Sequence, residues 1–240
     1  MKVIAVIPAR LASTRLARKV VLPIGGAPML AHVYKGVRAA TALADVIVAT
    51  DSQEILELSR QNGWHACLTS PSCRSGTERV HEVSEAVNAD VYINVQGDEP
   101  MARPEHINSL IALMQDPAVQ VGTLKTPCAA PDINHPHAVK VVTDAAGRAL
   151  YFSRATIPYD RDGAGTRYYK HLGFYAYRKA ALDHFVALPE SSLEQSERLE
   201  QLRFLENSIG IHVRETPYDT VGVDTEEDLR RVEEILGSRS

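Results

Sequence analysis

The stretch that most constrains the fold lies at the start of the chain, in residues 3–19. It opens with the apolar, β-branched run Val-Ile-Ala-Val-Ile at 3–7, which predicts a buried strand of a parallel sheet that ends at Pro8. A loop of small residues follows, and it carries four cations, Arg10, Arg15, Arg18 and Lys19. In α/β proteins, ligands bind beyond the carboxyl ends of the strands, where backbone N–H groups and cations can hold a polyphosphate. The sequence therefore predicts an anion site in this loop, and a loop of merely solvated cations is the alternative.

This loop matches neither of the two common glycine-rich nucleotide loops. It contains neither Gly-x-x-x-x-Gly-Lys-Ser/Thr nor Gly-x-Gly-x-x-Gly. A phosphate site that relies on cations rather than glycines favours a nucleotidyltransferase over a dehydrogenase or an ATPase. The formal net charge of -4 argues against nonspecific nucleic-acid binding, which needs a basic face.

The cysteines and the apolar runs predict the cellular compartment of the protein. None of the 3 cysteines belongs to a Cys-x-x-Cys pair, which predicts a reduced, cytoplasmic chain. The apolar run at 3–7 is far shorter than the ~20 residues that cross a bilayer, so we expect no membrane insertion.

Strands and helices alternate through the first part of the chain. Further strands are predicted at 46–50, 66–69 and 91–95, with helices between them. Asp51 and Glu54 fit a capping box for the helix that follows the second strand. This β-α-β-α-β order predicts an α/β fold with a doubly wound, mostly parallel sheet.

The alternation stops after a helix predicted at 104–115. Residues 119–177 show the pattern of antiparallel strands, with a hairpin turn at 144–147. We expect a single α/β domain over 1–240, in which this inserted antiparallel region forms a lid, a sugar-binding wall or a dimer contact.

Several polar residues follow predicted strands or open predicted helices. Asp98 comes just after the fourth strand, at the sheet edge that carries the first loop, and this placement favours a Mg²⁺ ligand over a turn residue. Ser75 and Gly76 open a helix whose N–H groups suit an anion or a base edge, although an ordinary N-cap is favoured for this segment alone. Asp224 with Glu227 fits a capping box.

Residues 171–177 alternate in a way that suits a sugar pocket. Alternation places His171, Tyr175 and Tyr177 on one face of a strand. Tyrosine offers a polyol a flat apolar body and a polar tip, and a half-exposed edge strand is an equally good explanation. A helix is predicted at 196–207, and its charges are of the kind that usually form a solvated face.

Motifs along nearly the whole chain resemble those of the 3-deoxy-manno-octulosonate (Kdo) cytidylyltransferases, also called CMP-Kdo synthetases. In the first half they are Ile-Pro-Ala-Arg-Leu-Ala-Ser-Thr-Arg-Leu (7–16), Val-Ala-Thr-Asp (48–51), Ser-Gly-Thr-Glu-Arg (75–79) and Asn-Val-Gln-Gly-Asp-Glu-Pro-Met (94–101). In the second half they are Ala-Val-Lys-Val-Val (138–142), Leu-Tyr-Phe-Ser-Arg-Ala-Thr-Ile-Pro (150–158), His-Leu-Gly (171–173), Leu-Glu-Gln-Leu-Arg (199–203) and Gly-Val-Asp-Thr (222–225).

The resemblance implies a reaction and its setting. In that family CTP and the acidic octulosonate sugar Kdo, with Mg²⁺, give CMP-Kdo and pyrophosphate, and the product supplies lipopolysaccharide synthesis in the cytoplasm. The resemblance also implies a homodimer with a Rossmann-like core of the nucleotide-diphospho-sugar transferase type.

The resemblance further implies roles for individual residues. The CTP phosphates would be held by Arg10, Arg15 and Lys19. The cytosine and nearby groups would be held by Ser75, Gly76 and Gln96. The Mg²⁺ ligands would be Asp98 and Asp224. The catalytic groups would be Arg10, Lys19 and Asp98. The sugar site would be lined by Arg79, Arg154, His171, Tyr175, Glu200 and Gln201.

The first loop departs from the family pattern, and two other functions remain open. The usual Leu-Pro-Gly-Lys-Pro is here Leu-Ala-Arg-Lys-Val at 16–20, so a glycine and two prolines are absent and Arg18 is added. One alternative is a cytidylyltransferase for another acidic sugar, such as 8-amino-Kdo or a sialic acid. The other is a catalytically silent nucleotide-binding homologue, which the loss of Asp98 or Asp224 would have favoured; both are present.

Overall fold

The computed structural model describes residues 1–12 and 16–237. The chain divides into two compact units, one formed by Met1–Asn108 with Thr220–Ser240 and the other by Ser109–Asp219. Each unit has its own strands and helices. The expectation of one domain over 1–240, with a sugar-site or dimer-contact region at 119–177, stays a prediction.

The first unit is built on parallel strands. Its strands are β1 (Val3–Ala9), β2 (Pro23–Ile24), β3 (Ala27–Pro28), β4 (Asp45–Thr50), β5 (His65–Leu68) and β6 (Val91–Asn94). Four of them pair in parallel in the order β6-β1-β4-β5, and β2 and β3 form a separate antiparallel hairpin. Every residue of β1 is buried, which confirms the prediction of a buried first strand.

The expectation that Pro8 ends the first strand is wrong. Pro8 lies within β1 and pairs with Ala49 of β4. The pairing of β1 with β6 stops at Val6, so the missing proline N–H removes no bond from that ladder. The Pro8 carbonyl instead accepts a hydrogen bond from the N–H of Gly97 at 2.9 Å, which ties the loop after β6 to the end of β1.

The helices are α1 (Met29–Arg38), α2 (Gln53–Gln61), α3 (Gly76–Ala86), α4 (Pro104–Leu113), α5 (Lys179–Ala187), α6 (Ser192–Glu197), α7 (Leu202–Glu206) and α8 (Glu226–Gly237). The predicted cap of α2 is wrong by one residue. Ser52 caps this helix, since its hydroxyl accepts from the N–H of Ile55 at 3.4 Å. The Asp51 carboxylate pairs instead with Arg79 at 3.0 Å. Within residues 1–12 and 16–237, no helix has both the length and the apolar composition that a membrane crossing needs.

The second unit contains antiparallel strands. Its strands are β7 (Val121–Pro127), β8 (Lys140–Thr143), β9 (Ala149–Ser153), β10 (Tyr169–Tyr177) and β11 (Ile211–Glu215). β7 pairs antiparallel with β10 and parallel with β11, whereas β8 and β9 form an antiparallel hairpin. Together with the parallel strands of the first unit, this confirms the predicted α/β class with a mostly parallel sheet and an inserted antiparallel region.

The prediction of one helix at 196–207 is wrong. The chain forms α6 and α7 instead, and Arg198 between them has a positive φ of 54°. The break is explained by Arg154, whose guanidinium donates to the carbonyl oxygens of Glu197 at 2.7 Å and Arg198 at 3.4 Å, at the end of α6. The turn between the two helices carries two of the predicted sugar-site residues, Glu200 and Gln201.

Candidate functional site

The Lys19 ammonium lies between two carboxylates of the first unit. Its Nζ is 2.6 Å from Asp98 Oδ2 and 2.7 Å from Asp224 Oδ1. The lysine side chain is only 12% exposed, whereas the two carboxylates are 29% and 44% exposed. Burial disfavours the ammonium form, but the two carboxylates outweigh that effect and raise the pKa of Lys19. The sequence prediction thus named three residues that the fold brings together.

The backbone holds the two carboxylates near each other. The N–H of Val223 donates to the carbonyl of Asp98 at 2.9 Å, which ties the segment before α8 to the loop after β6. The Thr220 hydroxyl donates to the Glu99 carboxylate. Gly222 lies against that same glutamate, because a Cβ at this position would be 3.0 Å from Glu99 Oε1. The backbone segments that carry Asp98 and Asp224 are therefore joined by contacts that do not involve Lys19.

The prediction that Asp224 caps the last helix is wrong. α8 is capped by Thr225, whose hydroxyl accepts from the N–H of Asp228 at 3.2 Å, while the Asp228 carboxylate accepts from the N–H of Thr225 at 2.9 Å. The predicted partner Glu227 is not the reciprocal residue. With the cap formed by its neighbour, the Asp224 carboxylate contacts Lys19.

The Asp98 and Asp224 carboxylates fit a magnesium ion. Mg²⁺ prefers hard oxygen ligands and usually binds through one or two protein carboxylates, with substrate phosphates completing its shell. Two carboxylates that already share one cation provide such a donor set, and the Lys19 ammonium marks a point where positive charge is stabilised.

The loop after β1 carries the other predicted phosphate-binding cations. Arg10 follows β1 and is exposed. Arg15, the second predicted phosphate ligand, lies outside the described residues. Arg18 precedes Lys19 and has a positive φ of 57°. The Arg18 guanidinium forms two hydrogen bonds with the carboxylate of Glu54, one of them at 3.0 Å. The backbone N–H of Arg18 donates to the backbone carbonyl of Leu11 at 3.1 Å.

The predicted base-binding residues form a second cluster in the first unit. Ser75 caps α3, as its sequence pattern predicted, by accepting from the N–H of Glu78 at 3.3 Å. Gly76 lies directly against the amide of Gln96, since a Cβ there would be 2.9 Å from both Gln96 Cδ and Oε1. The Gln96 Nε2 donates to the side-chain oxygen of Asn94 at 2.8 Å, which fixes the orientation of its amide.

Arg79 lies in the interior of the first unit. Its side chain is 3% exposed, and its guanidinium donates to Asp51 at 3.0 Å and to the Thr69 hydroxyl. These contacts hold α3 to the ends of β4 and β5. Its predicted contact with a sugar stays a prediction.

His171 and Tyr175 lie together in the second unit, with their rings 5.3 Å apart. The two residues are four positions apart in β10 and share one face of the strand. The pairing of β10 with β7 shifts its register between Leu172 and Tyr175. Residues 174–177 are buried, so the half-exposed edge strand is wrong for this part of β10. The His171 Nε2 lies 3.0 Å from the Thr123 hydroxyl. Burial lowers the pKa of His171 to about 3, so the ring is neutral at physiological pH.

Two predicted sugar-site residues have buried polar atoms that lack a partner. Within the part of the chain that the structure describes, neither the Tyr175 hydroxyl nor Gln201 Nε2 has a hydrogen-bond partner. The neighbouring Thr123 hydroxyl donates to the Phe174 carbonyl at 2.7 Å instead. Burial first, then Tyr177 and Glu200, raise the pKa of Tyr175 well above its ordinary value. Each unsatisfied buried group costs about 1–3 kcal/mol, so such groups suggest a polar ligand.

Sequence reasoning missed Asn94, Glu99 and Thr220. Asn94 had a signal in the sequence, because it is a polar residue at the end of an otherwise apolar predicted strand. The structure shows that it is only 1% exposed. Thr220 and Glu99 are 121 positions apart and had no local signal.

Comparisons with known proteins agree with these observations. The sequence model of the Cytidylyltransferase family matches residues 4–214. The chain is 67% identical over 241 residues to the 3-deoxy-manno-octulosonate cytidylyltransferase of Koribacter versatilis (strain Ellin345), covering 100% of this chain and 92% of that protein. It is 58% identical over 240 residues to the protein of the same name from Acidobacterium capsulatum, covering 100% and 98%. A solved structure of CMP:2-keto-3-deoxy-manno-octonic acid synthetase complexed with CTP has a TM-score of 0.96, 42% identity and 100% coverage of both chains. The chain belongs to the 3-deoxy-manno-octulosonate cytidylyltransferase family.

Proposed function

We propose that this protein transfers CMP from CTP to the anomeric hydroxyl of 3-deoxy-D-manno-octulosonate, giving CMP-Kdo and pyrophosphate. The observation that carries this proposal is the 67% identity, over the whole chain, to a protein named for that activity. The structural neighbour that was solved with CTP supports the choice of nucleotide.

The first unit would hold the triphosphate. Arg10, Arg15 and Lys19 would neutralise the phosphates and the charge that develops on the departing pyrophosphate. Asp98 and Asp224 would hold Mg²⁺, which when bound supplies Lewis-acid stabilisation of phosphate charge.

The Gln96 amide would recognise the cytosine. Its Nε2 is engaged by Asn94 at 2.8 Å, which leaves its carbonyl oxygen to face a donor such as the amino group of cytosine. The N–H groups at the start of α3, next to Ser75 and Gly76, would bind nearby polar groups of the nucleotide.

The second unit would hold the sugar. A neutral His171 can donate or accept a hydrogen bond, and the Tyr175 hydroxyl and Gln201 amide have unused bonding capacity that sugar hydroxyls would satisfy. Arg154 would position the turn that carries Glu200 and Gln201, because its guanidinium holds the end of α6. Arg79 would act in a similar way by fixing α3. With a pKa of about 3, His171 is a poor general base near neutral pH, so we assign it a binding role.

We further propose that the protein is a homodimer in the cytoplasm and that its product supplies lipopolysaccharide synthesis. Light scattering during size-exclusion chromatography tests the homodimer, and a mass of one chain at micromolar concentration would contradict it.

The reaction is tested by pyrophosphate release from CTP and Mg²⁺. Kdo, 8-amino-Kdo and sialic acid are compared as acceptors, and ATP, GTP and UTP are compared with CTP. We expect release with CTP and Kdo. Release only with another sugar would keep the mechanism and change the substrate, whereas no release from folded protein that binds CTP would favour a silent homologue.

A further inference from the structure

Lys19 contacts both carboxylates that are proposed to bind the metal. Its Nζ lies 2.6 Å from Asp98 and 2.7 Å from Asp224, and the side chain is 12% exposed. The ammonium is thus largely enclosed and donates to both acids. A metal ion held by the same carboxylates would meet this positive charge directly.

Lys19 is also a proposed ligand of the CTP phosphates, and the two carboxylates already engage two of the three donors of its ammonium. A triphosphate and these two acids would therefore compete for the same charge. We propose that Lys19 is a built-in counter-cation of the metal site, which leaves Asp98 and Asp224 when a triphosphate binds. This inference rests on the proposed function, because it assumes that these carboxylates are metal ligands. It predicts that metal binding is weak without nucleotide and is positively coupled to nucleotide binding.

The surroundings of Lys19 permit this exchange. Lysine has a flexible four-carbon stem that carries a compact charge, so its ammonium can change partners without a backbone change. The backbone segments that carry the two carboxylates are joined by other contacts, since Val223 donates to the Asp98 carbonyl at 2.9 Å and Gly222 lies against Glu99. Removal of the lysine charge should therefore leave a preformed pair of acids rather than a collapsed site.

The test measures Mn²⁺ binding to the whole 240-residue chain without nucleotide, by electron paramagnetic resonance at fixed ionic strength. We compare the wild type with Lys19→Gln, with Lys19→Met as a second variant that keeps the apolar stem. Lys35→Gln is the matched control, because it removes an equal charge from an exposed position on α1. Circular dichroism establishes that each variant is folded.

We expect Lys19→Gln to bind Mn²⁺ more tightly than the wild type by roughly tenfold or more, the factor that corresponds to about 1.4 kcal/mol. Lys35→Gln should bind as the wild type does. Adding Asp98→Asn or Asp224→Asn to Lys19→Gln should abolish the gain, which would locate the ion at these two acids.

Two results would overturn the proposal, and they can be told apart. Unchanged or weaker Mn²⁺ binding by both Lys19 variants, with binding that still depends on Asp98 and Asp224, refutes the exchange and leaves the metal site intact. Binding that does not depend on either acid refutes the exchange together with the proposed metal site.

Discussion

The contact between Gly76 and Gln96 gives a quantitative test of how the base-binding cluster is built. A Cβ at position 76 would overlap Gln96 Nε2 and lie 2.9 Å from its Cδ and Oε1. The amide can swing away, because it is the end of a flexible side chain. It would then lose its 2.8 Å bond to Asn94, whose side chain is 1% exposed and would keep an unsatisfied oxygen.

Two opposing terms set the size of the effect of Gly76→Ala. An orphaned buried polar atom costs about 1–3 kcal/mol. Alanine in a helix is favoured over glycine by roughly 0.5–1 kcal/mol, and position 76 is the first residue of α3. The free energy of unfolding should therefore fall by about 1 kcal/mol, within a range of about 0–2.5 kcal/mol. Loss of one oriented hydrogen bond to the base should also weaken CTP binding by about 1 kcal/mol, or roughly fivefold.

Urea denaturation and calorimetric titration with CTP measure these two effects. Gly210→Ala is the matched control, because a Cβ there meets no atom of the described chain within 4 Å. In a Gln96→Ala background the steric conflict is removed, so Gly76→Ala should no longer destabilise the protein. Equal destabilisation in both backgrounds, or unchanged stability and CTP affinity in the single variant, would refute the reasoning.

Three further changes have expected outcomes. Gly36→Ala should lower the free energy of unfolding by about 1–3 kcal/mol, because the added Cβ would overlap the backbone carbonyl of Ala102. Thermal or urea denaturation measures this loss, and wild-type stability would show that α1 does not pack this closely against Ala102. Between pH 6.5 and about 3 the unfolded chain binds a proton that His171 in the folded protein does not, so stability should fall as the pH falls, by about 1–2 kcal/mol at pH 5. That loss should disappear in His171→Gln, and an equal pH dependence in both proteins would contradict the assignment. Asp98→Asn should keep the fold and reduce pyrophosphate release by roughly 100-fold or more, since it removes a charge from the proposed metal site, and full activity would exclude that role.

Local sequence pattern was sufficient to predict the elements whose burial is continuous. The apolar runs at 3–7, 46–50 and 91–95 each became strands of the parallel sheet. Such runs are informative because a strand covered on both faces has no polar side to present.

The helix caps were less predictable. Asp51 and Ser52 are both good capping residues. Ser52 caps α2 because the Asp51 carboxylate accepts a hydrogen bond from Arg79, 28 positions away in the sequence.

Contacts distant in sequence account for the remaining errors. The break between α6 and α7 depends on Arg154, which reaches the end of α6 from 43 positions away. The bond between Lys19 and Asp224 spans 205 positions. A local sequence motif involves only near neighbours, and on that basis Asp224 was predicted to cap a helix. The family resemblance predicted it to be a site residue.

The turn at Arg18, where the sequence departs from the family pattern, is held by contacts on both sides. Arg18 stands where the family usually has glycine, and its φ of 57° lies in the left-handed region that glycine enters without steric cost. Its guanidinium holds the Glu54 carboxylate through two bonds, while Val20, two residues on, is 3% exposed. The ion pair on one side and the buried valine on the other thus fix the turn that carries Lys19. Because the turn is held in this way, the ammonium reaches both carboxylates without the glycine.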